Sequence, residues 1–198
     1  MAKPRTVANP LALAVLAFLS REPMHPYELG KRLQEAEKDR SFKYNRGSLY
    51  MVVKQLAKAG FVADRETVRD AARPERTLYE ITDDGRAELR DWLRELLAEP
   101  REEYPLFGAA LSLIVVLPPE EATTLLEQRL AALAEARADT RTAIKRAAEA
   151  EVLWVFSIEE EYRLAVLDAE YRFVTGLITS LRRPDYVQAW QDFFGRRT

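Results

Sequence analysis

The chain has 198 residues, 47% of them hydrophobic, enough for one medium domain or two small ones with a real core. It contains no cysteine, which excludes disulfides, thiolate metal sites and cysteine nucleophiles together. The net charge of −2 conceals an asymmetry: residues 1–76 hold 15 Lys and Arg against 9 Asp and Glu, and the remainder 15 against 23, so an anionic partner suits the first part only.

No apolar run approaches the roughly 20 residues of a membrane-spanning helix. MAKPRTVANP lacks the pattern of a secretory leader. The expectation is a soluble cytoplasmic protein. Asn9-Pro10 opens a first helix, with Asn as cap and Pro at the first position. The LALAVLAFLS that follows is apolar nearly all round, which predicts burial on several sides. His25-Pro26 opens a second helix, YELGKRLQEAEKD, with Tyr27, Leu29, Leu33 and Ala36 expected toward the core. The link DRSFKYN then carries Arg40, Lys43 and two aromatic residues.

The stretch from Asn45 to Gly60, NRGSLYMVVKQLAKAG, organises the rest. Leu49, Val52, Val53, Leu56 and Ala59 fall on one helical face, and Gly47, Met51, Lys54 and Lys58 on the opposite one. Asn45 can cap the start, and Gly60 can close the end in a left-handed conformation. The outward face is small at its start and cationic further on. A small residue there lets backbone approach a phosphate or base edge, and the helix dipole favours an anion at that end. The plain alternative is an amphipathic helix with solvated lysines.

FVADRETV and LYEIT alternate apolar and polar residues as strands do. Between them lies the polar RDAARPERT, with Arg69, Arg73, Pro74 and Arg76, as in a hairpin loop. An arginine-bearing hairpin directly after such a helix is a wing, whose tip can reach phosphates or a minor groove. Thr82 then caps a fourth helix with two acids in its first turn. Helix, helix, helix, hairpin, helix is the order of a winged helix-turn-helix.

Pro100 and REEYP mark a boundary. LFGAALSLIVVL beyond it is predicted to form a buried helix. Pro118-Pro119-Glu120-Glu121 opens a helix that runs to about residue 150. Leu126, Leu130, Leu133, Arg137, Thr140, Ile144 and Ala147 repeat in it with heptad steps, so packing on another helix is expected. A second apolar-periodic block covers 152–181, Arg182-Arg183-Pro184 ends it, and DYVQAWQDFF follows.

Three segments carry a resemblance to the PadR-type transcriptional regulators: MHPYELGKRL at 24–33, GSLYMVVKQLAKAGFV at 47–62 and RPERTLYEITDDGRAEL at 73–89. The combination of G-S-L-Y, L-x-x-x-G, R-P and Y-x-x-T-x-x-G is the specific part. Pro26 stands where that family usually has Gly, and Met51 where Pro commonly follows Leu-Tyr. The second difference changes the outward surface of the third helix. The resemblance implies a mainly α fold: a winged helix-turn-helix with a two-stranded wing over 1–92 and a helical C-terminal domain over 93–198 that serves dimerisation. It also implies that Tyr50 lies near the DNA backbone.

On this reading the DNA-contacting residues of the third helix are Arg46, Gly47, Ser48, Tyr50, Met51, Lys54 and Lys58. Lys43 precedes them, and Arg73 and Arg76 lie on the wing. Lys54, Lys58, Arg73 and Arg76 are expected on phosphates, which position without specifying sequence. Arg46 through Tyr50 are expected to read bases, with Met51 adding an apolar contact.

No enzyme, metal or cofactor is expected. His25 is the lone histidine and sits at a helix start; Glu159, Glu160 and Glu161 are adjacent and read as a solvated face. The glycines do not cluster into a phosphate loop. Trp92, Trp154 and Trp190 serve either as packing or as the wall of an effector pocket, with Trp92 the candidate for the pocket because its helix joins the two halves. The expected partners are double-stranded DNA, a second copy of the chain and a small-molecule effector. The expected function is a homodimeric repressor reading a pseudo-palindromic operator. The alternative is a winged-helix protein-interaction or ligand-sensing module that binds no DNA.

Overall fold

The computed structural model describes residues 5, 7–36, 42, 45–68 and 76–194, with the backbone alone at 66–68 and 76. The chain divides into two compact units, Met1–Glu102 and Glu103–Thr198. The division follows the fourth helix, ten residues beyond the boundary expected at 92, because that helix runs unbroken to Ala98.

In the first unit, helix α1 (Pro10–Leu19) is the centre of the core. Asn9 Oδ1 accepts from the Leu11 N–H, and Leu11 to Leu16 and Leu19 are all buried. Helix α2 (Pro26–Glu35) turns Pro26, Leu29 and Leu33 inward. Tyr27 and Ala36 do not follow them and are exposed. Tyr27 lies one residue, about 100° of helix, off the buried stripe, and Ala36 is the C-cap. Helix α3 (Arg46–Lys58) buries Leu49, Val52, Val53 and Leu56 against α1 and α2. An added Cβ at Gly30 would stand 3.3 Å from Leu49 Cδ2, so α2 approaches α3 closely there.

Strands β1 (Val62–Val68) and β2 (Arg76–Ile81) form the two-stranded antiparallel wing, in register from Val62↔Ile81 to Val68↔Arg76 with a bulge between Asp64 and Glu66. Met24, ahead of α2, adds a short third rung by exchanging two backbone hydrogen bonds with Tyr79, at 3.0 and 3.1 Å. Helix α4 (Asp83–Ala98) completes the unit, with Leu89 and Trp92 in the core.

One knot ties α3, wing and α4 together. Gly60 takes φ +79° and ends α3, and the Phe61 N–H reaches back to the Leu56 carbonyl. The Thr82 hydroxyl accepts from the Gly85 N–H at 3.0 Å and donates to the Gly60 carbonyl at 2.7 Å. The Thr82 N–H donates to the Phe61 carbonyl at 3.1 Å. L-x-x-x-G and Y-x-x-T-x-x-G are thus two halves of one junction that fixes where α3 ends.

The second unit is helical. Helix α5 (Leu106–Ser112) is followed by a 3-10 turn at Ile114–Val116, helix α6 (Pro119–Glu149), a second 3-10 turn at Trp154–Phe156, helix α7 (Ile158–Leu181) and helix α8 (Pro184–Phe194). The long buried helix expected from LFGAALSLIVVL is absent: α5 breaks at Leu113, and neither α5 nor the turn buries a residue. Within this unit only Phe107, Ile114 and Leu117 of that stretch pack against the core.

α6 and α7 pack antiparallel. Leu126 and Leu133 meet Val174, Ile178 and Leu181, and Thr140 is buried further along. The polar position in the α6 seam is accommodated by partners. Arg137 pairs with Asp168 and lies 4.3 Å above the Tyr171 ring. Glu160 is buried rather than solvated; its Oε2 lies 3.3 Å from Arg163 Nε. The sequence shows three adjacent acids but not that the middle one faces inward.

Candidate nucleic-acid interface

The outward side of α3 is built from its cap. Asn45 Oδ1 accepts from the Ser48 N–H at 2.8 Å, and Ser48 Oγ accepts from the Asn45 N–H at 2.8 Å, a reciprocal capping box. Ser48 Oγ also donates to the Asn45 carbonyl at 2.9 Å. Its hydroxyl is therefore committed to the helix start, and Ser48 is half-buried.

Beyond the cap, Gly47, Tyr50, Met51, Lys54 and Lys58 are exposed along three turns, roughly 16 Å of helix. With Gln55 they line a shallow depression of about 450 Å³. The two lysines, among the described residues, are paired with no carboxylate. Gly47 opens the stripe, and the unsatisfied N–H groups of the first turn lie beside it.

Residues of α2 and the preceding loop border this face. The Arg46 guanidinium lies 5.4 Å above the Tyr27 ring. His25 caps α2, its Nδ1 accepting from the Tyr27 N–H at 3.0 Å. Its ring meets Tyr50 edge-on, centroids 6.0 Å apart at 75°. Tyr27, 55% exposed, is thus part of the α3 surface rather than of the core. Its place one residue after Pro26, off the stripe that Pro26, Leu29 and Leu33 form, is the signal that could have found it. Gln55 was also missed, lying at the edge of the outward face opposite Tyr50.

The structure brings Arg46, Gly47, Tyr50, Met51, Lys54 and Lys58 onto one surface. Lys43 and Arg73 lie outside the described residues. Arg76 is placed in β2 by its backbone, and its side chain is outside the description. Trp92 is only 4% exposed and packs in the core of the first unit beneath the Arg5 guanidinium, 5.2 Å from its ring. Of the aromatic candidates, Trp190 borders a cavity: about 530 Å³ in the second unit, walled also by Pro119, Thr123, Glu127, Leu181 and Arg182.

Arg5 forms ion pairs with Glu88 and Glu95 of α4. The hydrogen bond from Arg5, with a further one from Arg101, holds the Glu95 carboxyl below the usual carboxylate range. No described helix is long and apolar enough to cross a membrane, and the described residues contain no cluster able to hold a metal ion.

Residues 15–91 match the model of the Transcriptional regulator PadR-like family. The Negative transcriptional regulator PadR of Bacillus subtilis (strain 168) is 27% identical over 120 residues, 61% of this chain; the alignment spans 65% of that relative's length. The crystal structure of Bacillus subtilis PadR in complex with operator DNA superposes with a TM-score of 0.71 at 19% identity, covering 86% of this chain and 98% of that one. The Bacillus subtilis PadR in complex with p-coumaric acid gives 0.68 at 18% identity, covering 92% and 99%. At those identities the structural likeness speaks for the fold: a winged helix-turn-helix followed by a helical extension. The matched segment, residues 15–91, holds the capped third helix and its wing, and it is this part of the chain that is similar to the PadR-like transcriptional regulators.

Proposed function

We propose that this chain is a cytoplasmic homodimeric repressor whose two α3 helices enter successive major grooves of a pseudo-palindromic operator. The observation that carries the reading is the outward face of α3: a small residue at a capped N-terminus, followed by two lysines with no described carboxylate partner. Lys54 and Lys58 hold phosphates, as do Arg73, Arg76 and Lys43 from the wing and the preceding link.

Repression is supported by the relative named a negative regulator. Dimerisation is supported by the large apolar side chains that the second unit exposes. Leu106 is 89% exposed, Trp154 61% and Tyr162 73%. An effector that favours one dimer geometry would release the operator. The similar fold bound to p-coumaric acid supports a small aromatic acid in that role.

A gel shift on the protein's own promoter region tests the proposal. The expected result is a complex that survives excess unrelated DNA and weakens steeply with salt. Binding no tighter than to unrelated duplex rejects an operator-reading role. Sedimentation at micromolar concentration is expected to give twice the chain mass; a single-chain mass rejects the dimer.

A further inference from the structure

We infer that Gln55, with Met51, is the base-reading pair of α3, and that the pair selects A·T base pairs in each half-site. The inference rests on the DNA-binding reading above and names what that surface distinguishes.

At the start of α3 the Ser48 hydroxyl is already engaged within the protein, and the Arg46 and Tyr50 side chains are held to one side by ring contacts. Ser48 Oγ both accepts from and donates to the Asn45 backbone. The Arg46 guanidinium lies over Tyr27, and the Tyr50 ring meets His25. Lys54 and Lys58 are mobile point charges suited to phosphates, and a lysine has donors but no acceptor.

Gln55 is the one residue of this face that carries a carboxamide. It is exposed, lies in the same depression as Met51, Lys54 and Lys58, and its carboxamide has no hydrogen-bond partner among the described residues. A carboxamide carries a donor and an acceptor side by side. Its geometric match in the major groove is adenine, with N6–H₂ to donate and N7 to accept.

Met51 stands one turn earlier on the face and is 53% exposed. Residues four apart on a helix are neighbours, separated by about 6 Å along the axis. That spacing reaches about two base-pair steps. An unbranched thioether has nothing to offer a polar base edge but packs well on the thymine 5-methyl group. Gly47 carries no side chain and is exposed, so the backbone at the start of this face can come close to a groove.

The test begins with selection from a randomised duplex library by the wild-type protein. The expected motif contains an A·T or T·A pair in each half-site. Within the selected duplex, adenine is replaced by 7-deazaadenine, which lacks the N7 acceptor, and thymine by uracil, which lacks the methyl group. One 7-deazaadenine position per half-site is expected to weaken wild-type binding roughly tenfold and to leave Gln55→Ala unaffected. One uracil position is expected to weaken the wild type but not Met51→Ala.

Full affinity of the wild type for both modified duplexes, or a selected motif of G·C pairs alone, overturns the inference while salt-sensitive operator binding still stands. Absence of any duplex binding at low salt overturns the DNA-binding reading itself. The modified-duplex measurements on wild-type protein do not depend on either variant folding.

Discussion

An added Cβ at Gly85 would sit 2.0 Å from the Phe61 carbonyl oxygen and 2.9 Å from Ile81 Cγ1. Backbone, which cannot swing away, is the obstacle. Gly85→Ala is expected to cost about 2–3 kcal/mol in urea unfolding; a change under about 0.5 kcal/mol would mean that α4 does not lie against Phe61. The converse case is Glu151, which takes φ +53° directly after α6, where the Val152 N–H reaches back to the Ala147 carbonyl. A glycine suits that left-handed position better. Glu151→Gly is expected to stabilise the protein by about 0.5–1 kcal/mol, and destabilisation would contradict the geometry. Gly60 could be read from the sequence as a helix end, because glycine advertises a positive φ. Glu151 could not, because nothing about a glutamate does. Tyr27 differs from its expected place because a large ring suggests burial; the helical offset from the buried stripe points it outward, and the neighbouring α3 shows that it shelves Arg46.

Among the elements, those that carry their own start and stop signals were the legible ones. Asn9-Pro10, Asn45 and Thr82 each place a cap oxygen on an orphan N–H, and the α3 stripe follows from its period alone. α5 was illegible because an unbroken apolar run specifies neither helix length nor what will cover it. Which aromatic residue borders a cavity was equally hidden, since Trp92 and Trp190 differ in tertiary surroundings rather than in local pattern. α4 gives a pH-dependent prediction. Arg5 holds the Glu95 carboxyl below its ordinary range, so the unfolded chain takes up a proton first as pH falls. The stabilisation is complete above the ordinary carboxylate range and is lost as pH drops through the lowered value of Glu95. Glu95→Gln is therefore expected to be less stable than wild type at neutral pH, with the gap closing on acidification in a thermal-melt series from pH 7 to pH 3. A gap that stays constant or widens toward acid would contradict the Arg5 pairing.

At the scale of the whole molecule, the basic charge gathers in the segment that carries α3 and the wing, and large exposed apolar side chains gather in the second unit. The basic excess lies in residues 1–76, which carry α3 and the wing, and the acidic excess of the remainder is shared evenly between residues 77–102 and the helical unit. Large exposed apolar side chains of the second unit include Leu106, Trp154, Phe156 and Tyr162. That division suits a protein that grips a polyanion with one unit and its own copy with the other. A dimer on a two-fold site presents every α3 lysine twice, so one substitution removes two phosphate contacts. The salt dependence of operator affinity, measured by fluorescence anisotropy for wild type and Lys54→Ala, reads this number directly. The slope of log affinity against log salt is expected to become shallower by about two in Lys54→Ala. An unchanged slope, with the variant still folded, would show that α3 does not lie on the duplex.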